Sequence, residues 1–303
     1  MSAGDQMLHL KGAITALVTP FRPDGEVDMD AFRALVEWQI RESIDGLVIS
    51  GTTGESATLT HDEKLALFRA ALEQSKGRVP IIAGTGSNNT RESVALTREA
   101  LALGVDASLA VVPYYNKPSQ EGLLAHFAEL NSVGLPLVLY NVPGRTVVSM
   151  TAETLGKLAR LPHVVGLKEA SANLALDSEM MAAVAEPMER GFSMLSGDDF
   201  TTLPFMALGG HGCISVVSNL APRLVHDLCA LTAAGELHAA RPLHHKVHRL
   251  STACFRDASP GPTKWILGRM ERCAPTLRLP LVQPSNKLRA ELDEIARKEG
   301  LVG

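Results

Sequence analysis

Eight short apolar runs, rich in Val, Ile and Leu, punctuate this chain and constrain its fold more than any other feature. They are Ala13–Val18, Gly46–Ile49, Val79–Ala83, Ala107–Val112, Pro136–Tyr140, Val164–Leu167, Phe192–Leu195 and Cys213–Val216. Each is bounded by Gly, Pro, Ser or Asn, and each is too short for a core helix but long enough for a strand buried on both faces. Between them lie segments of helical period, such as Ala31–Ile40, where Phe32, Leu35, Val36 and Ile40 share one face. Thr60 with Glu63 reads as a capping box opening a helix over Glu63–Ser75. Strand starts recur about every 20 to 35 residues, the length of a βα unit. Eight such units in about 220 residues predict an α/β fold, a (β/α)8 TIM barrel.

A doubly wound sheet also alternates strand and helix, but it calls for a glycine-rich turn after the first strand. Here that strand runs into Thr19-Pro20-Phe21. After Ser218 the strand signals stop, and Leu224–Ala234, His238–Phe255, Thr263–Arg272 and Asn286–Glu299 read as helices. The expected organisation is a catalytic barrel over residues 1–223 and a C-terminal helical region over 224–303.

Composition narrows the partners. The 29 basic side chains against 33 acidic ones leave a net charge of −4, without the basic footprint of a nucleic-acid binder. Met1–Lys11 shows no charged region followed by an apolar run, and no stretch approaches the roughly 18 apolar residues that cross a bilayer. A cytoplasmic protein with no membrane partner is expected. Cys213, Cys229, Cys254 and Cys273 form no C-x-x-C pair and read as reduced thiols.

In a TIM barrel the chemistry gathers at the C-terminal ends of the strands. Lys168 closes the run Val164-Val165-Gly166-Leu167, which places its ammonium at the barrel mouth, where desolvation lowers an amine pKa and frees the nucleophile that forms a Schiff base with a carbonyl. The plainer alternative is a lysine that snorkels outward or pairs with Glu169. Tyr115 and Tyr140 also fall at strand ends, and with Thr52 or Thr53 their hydroxyls can form a proton relay; taken singly, each tyrosine also reads as an amphipathic packing residue. Arg145, in a Pro-Gly turn after Tyr140, presents a planar fork suited to a carboxylate, or else lies free on the surface. The loops Gly51–Ser56 and Gly84–Asn88 lack the Gly-Lys-Ser/Thr of a phosphate loop. His244, His245 and His248 share a segment with Lys246 and Arg249, which favours a solvated helix face over a metal site.

Gly51-Thr52-Thr53-Gly54-Glu55-Ser56, Pro113–Pro118, Tyr140–Thr146, Gly166–Ser171, Leu195–Asp199 and Gly209–Ser215 together resemble the pyruvate-dependent class I aldolases of the dihydrodipicolinate synthase and N-acetylneuraminate lyase family, over Gly12 to about Leu281. The resemblance implies that Lys168 forms an imine with pyruvate beside Tyr140 as proton donor and acceptor. Thr52 and Tyr115 would complete the relay; Thr53, Gly197 and the Ile214 backbone would hold substrate; Arg145 would bind the carboxylate of the second substrate. An arginine in Tyr-Asn-Val-Pro-x-Arg-Thr is similar to the synthase branch, which implies condensation of pyruvate with L-aspartate 4-semialdehyde to 4-hydroxy-tetrahydrodipicolinate, in lysine biosynthesis, with no cofactor or metal. Other implied possibilities are a class I aldolase or dehydratase acting on another 2-oxo acid, and a non-catalytic pyruvate- or amino-acid-binding regulator. The family further implies a homotetramer with Tyr114 packed across an interface, and a feedback site for lysine at Ser56, Ala57, His61, Asn88, Glu92 and Tyr114, with Lys64 where a histidine is common. In the tail, Ser259-Pro260-Gly261-Pro262-Thr263-Lys264 departs from the family's Asn-Pro-Ile-Pro-Val-Lys, and this motif is expected to lie away from the chemistry.

Overall fold

A computed structural model describes residues 8–303. Eight parallel strands close into a barrel in chain order: β1 Gly12–Ala16, β2 Gly46–Ile49, β3 Ile81–Gly84, β4 Ala107–Val111, β5 Leu137–Asn141, β6 Val164–Glu169, β7 Ser193–Ser196 and β8 Gly212–Ser215. Pairing of β8 with β1 completes the ring. All eight apolar runs of the sequence become strands, with ends displaced by two residues at most.

The strands read as unbroken apolar runs because both faces are buried. In β5, Leu137 and Leu139 face outward to Phe127, Leu155 and Met180 on the surrounding helices. Val138 and Tyr140, one step out of phase, enter the barrel interior with Ile14, Val48, Ile82 and Ile214.

The helices that cover the barrel include α1 Met29–Arg41, α2 His61–Ser75, α3 Thr90–Leu103 and α4 Gln120–Asn131. They are followed by the short α5 Pro143–Thr146, then α6 Ala152–Leu158, α7 Leu174–Ala183, α8 Ala185–Glu189 and α9 Thr202–Ala207. The capping box at α2 is present: Glu63 N–H donates to Thr60 Oγ1 at 3.2 Å, and Thr60 N–H donates to Glu63 Oε2 at 2.8 Å.

The tail forms α10 Pro222–Ala233, α11 Leu237–Cys254, α12 Gly261–Arg269 and α13 Asn286–Lys298. α10 packs on β1 and β8 and so occupies the place of the eighth barrel helix, and the boundary expected at 223/224 falls inside it. Val225, Leu250, Ile266 and Leu292 from these four helices share one buried cluster with Phe32 of α1 and Phe68 of α2. The tail is thereby fastened to the β1–β2 side of the barrel. Among the described residues, no helix is long and apolar enough to cross a membrane.

Candidate active site

One irregularity decides where Lys168 points. β6 enters its ladder with Leu137 opposite Val164, but Val138 stands opposite Gly166, so one extra residue is accommodated in β6. Unbroken pairing would set Lys168 against Asn141 and turn its side chain outward to the helices, because a one-residue slip exchanges the two faces. With the bulge, Tyr140 and Lys168 are cross-strand partners and both face the interior. Gly166 permits it: a Cβ there would lie 2.6 Å from the Ser193 carbonyl oxygen on β7.

Lys168 is 6% exposed, and its Nζ lies 4.4 Å from the centroid of the Tyr140 ring. Burial brings the amine down from 10.5 to about 8, Asp199 partly opposing and Arg145 adding to the shift. Tyr140 is also buried, and the same desolvation pushes its hydroxyl up to about 12, while Arg145 and the Thr52 side chain draw it part of the way back. The pairing of Lys168 with Glu169 is not formed. Glu169 faces the other way, where its carboxylate accepts from Asn141 Nδ2 at 2.8 Å and from Ser171 N–H at 2.6 Å.

A cavity of about 120 Å³ opens above this pair, lined by Thr52, Thr53, Tyr140, Arg145, Lys168 and Gly197, among others. Gly197 is required by space: a Cβ there would come within 2.9 Å of Lys168 Cε and Cγ and 2.7 Å of Ala170 Cβ. Arg145 sits on α5, whose first turn begins at Pro143 directly after β5. It lines both this cavity and a wider outer one of about 340 Å³. A buried amine of lowered pKa, a protonated phenol on the adjacent strand and a guanidinium at the entrance can together activate a carbonyl and hold a carboxylate.

Not every expected residue arrives. Ile214 is fully buried in the barrel core and does not line either cavity. Tyr115 stands 89% exposed in a left-handed backbone conformation, φ 72°, outside the cavity of its own chain. The six residues of the implied lysine site divide. Ser56, Ala57 and Tyr114 line the outer cavity. His61 pairs with Glu99 at 2.9 Å, Glu92 accepts from Asn89 Nδ2 at 2.9 Å, and the Asn88 carbonyl accepts from Asn116 Nδ2 at 2.8 Å. Lys64 is within electrostatic reach of Glu92.

The tail is not remote from the chemistry, contrary to the expectation from sequence. Ser259, ahead of α12, lines both cavities together with Arg145. Asp199 was also missed as a distinct group. It is buried beneath the site, where Val216 and Val217 N–H donate to its Oδ2 at 2.9 and 3.0 Å, and it is the principal anion acting on Lys168. The doublet Asp198-Asp199 after β7 marked the place, but nothing in spacing distinguishes the aspartate that turns inward. His248 packs edge-on against Phe200, 5.2 Å between ring centroids, and His244 is half-buried. Among the described residues, no group of three or more His, Cys, Asp or Glu side chains is arranged to hold a metal.

The sequence matches the profile of the Dihydrodipicolinate synthetase family over residues 9–299. The chain belongs to this family. One relative, the 4-hydroxy-tetrahydrodipicolinate synthase of Maridesulfovibrio salexigens, is 51% identical over 297 residues, which cover 97% of this chain and all of the relative. Among solved synthetase-family structures, the chloride-inhibited dihydrodipicolinate synthase of Acinetobacter baumannii complexed with pyruvate superposes with a TM-score of 0.92 at 39% identity, over 96% of this chain and 99% of that one. The Cyanidioschyzon merolae enzyme with lysine bound gives a TM-score of 0.92 at 38% identity, with the same coverage.

Proposed function

We propose that this chain condenses pyruvate with L-aspartate 4-semialdehyde to give 4-hydroxy-tetrahydrodipicolinate through a Schiff base on Lys168. The observation that carries the reading is the buried Lys168 amine, 4.4 Å over the ring of Tyr140 on the neighbouring strand, with Arg145 at the entrance of the same cavity.

The neutral Lys168 amine attacks the ketone carbon of pyruvate. Tyr140, protonated at rest because burial raises its pKa to about 12, passes a proton through Thr52 so that the carbinolamine oxygen leaves as water and the imine forms. The Tyr140 phenolate left by that step takes a methyl proton to give the enamine, whose carbon attacks the aldehyde while Tyr140 returns this proton to the new alkoxide. The ammonium group of the bound semialdehyde gives a proton back to Tyr140, and the resulting amine adds to the imine carbon, closes the ring and displaces the Lys168 amine. The balance is one pyruvate and one semialdehyde in, one cyclic product and one water out. Arg145 holds the semialdehyde carboxylate, and Thr53 and Gly197 bound the pyruvate side of the cavity.

Tyr115 takes part in this relay only if a second copy of the chain supplies it, since its own chain holds it in solvent. That requirement, with the exposed Tyr114 beside it, supports an assembly of at least two copies, the unit from which a homotetramer is built, measurable by sedimentation. The outer cavity, lined by Ser56, Ala57 and Tyr114, is the place for a lysine effector.

The test is a panel of aldehydes offered with pyruvate and read by product mass. Turnover of aspartate semialdehyde above every sugar-derived aldehyde is expected. A strong preference for a sugar aldehyde overturns the substrate assignment, and absence of any imine on incubation with pyruvate revives a binding protein.

A further inference from the structure

The Gly51–Ser56 turn that delivers Thr52 and Thr53 is held from outside by the tail. Glu55 in this turn has φ 56°, a left-handed backbone uncommon for a non-glycine residue. Its N–H donates to the Thr52 carbonyl at 3.0 Å, so the two residues move together. Its carboxylate is shielded completely and pairs with Lys264 Nζ of α12 at 2.7 Å, both side chains being 0% exposed. Its second oxygen accepts from the backbone N–H of Arg278 at 3.2 Å.

Arg278 then grips the rest of the turn's exit, donating to the Thr58 carbonyl at 2.9 Å and to Glu63 Oε2 at 2.8 Å. The ring of Phe21, fully buried after β1, lies between Lys264 Nζ at 4.2 Å and the Arg278 guanidinium at 4.4 Å. Two tail cations thus join the β1 and β2 loops at the barrel mouth. Apolar side chains commonly fill such a volume at lower cost than a buried ion pair. What the pair adds is a single allowed position for Glu55, since a desolvated carboxylate must meet its partners.

We propose that Lys264, acting through Glu55, and Arg278, whose side chain acts through the Thr58 carbonyl and Glu63, are positioning residues that hold the turn carrying Thr52 and Thr53 at the cavity it shares with Tyr140. The proposal rests on the Schiff-base reading above, in which Thr52 relays protons for Tyr140.

The test compares Lys264→Met, Lys264→Arg and Arg278→Gln with the wild type, each well below its own melting temperature. Lys264→Met is expected to lower kcat at least tenfold, with KM for aspartate semialdehyde within twofold and borohydride trapping of pyruvate still stoichiometric. Lys264→Arg, which can renew the pair, recovers part of the lost kcat. If Lys264→Met does not fold, Arg278→Gln carries the test, with an expected fall of threefold or more in kcat. A lowered melting temperature with unchanged kcat in the folded variants shows a purely structural pair and overturns the proposal. Failure of the wild type to trap pyruvate overturns the Schiff-base reading and this inference with it, an outcome distinct from intact trapping with unchanged kcat.

Discussion

The pH dependence of imine formation follows from the burial of Lys168. With the amine brought to about 8, its neutral fraction is about a tenth at pH 7, about half at pH 8 and about nine-tenths at pH 9. An unperturbed lysine would be neutral in only about one molecule in several thousand at pH 7. The initial rate of pyruvate trapping, measured with borohydride in a rapid-quench series and read by intact mass, should therefore rise about fivefold from pH 7 to 8, less than about twofold from 8 to 9, and then level. Arg145 depresses the amine further, so Arg145→Gln should move the midpoint up and slow trapping at pH 7. Asp199 acts in the opposite sense, so Asp199→Asn should move it down. The same shift has a thermodynamic face. The folded chain binds fewer protons than the unfolded one between about 8 and 10.5, so stability rises with pH across that window, and the cost of burying the amine is fully present below it. A rate that climbs about tenfold per pH unit past pH 9 would show an ordinary solvated lysine and refute the reasoning.

Two substitutions probe the remaining geometry. Tyr140→Phe removes the proton donor but keeps the ring under Lys168; kcat should fall about 10²- to 10⁴-fold and pyruvate trapping of Lys168 should slow while still reaching completion, and near-normal turnover would transfer the donor role elsewhere. Gly197→Ala drives a methyl group to within 2.9 Å of the Lys168 stem, so slower trapping with little change in far-UV circular dichroism is expected, and an unaffected trapping rate would mean that the stem yields freely.

The barrel was legible because its strands are buried on both faces, which leaves eight apolar runs and no ambiguity of period. Lys168 was legible as a strand-end residue with its ammonium at the barrel mouth, but the local geometry that gives it that direction was not. That depends on the extra residue in β6, for which Gly166 is the sole cue in sequence, and its meaning emerges only beside Ser193 on the next strand. The tail illustrates a different limit. Helical period located its helices within a few residues, yet period carries no information on what they pack against. Ser259 at the wall of the cavity and Lys264 on Glu55, 209 residues away in the chain, could not be foreseen from spacing. Tyr115 marks a third limit, since a residue placed correctly at a strand mouth can still face away from its own cavity.

The central claim, that Lys168 is the nucleophile, is tested most directly by reducing the pyruvate adduct with borohydride and mapping the modified peptide. The account predicts one adduct per chain, on the peptide containing Lys168, and none in Lys168→Ala. Labelling of Lys168→Ala at the same stoichiometry, or an adduct on any other lysine of the wild type, would contradict it.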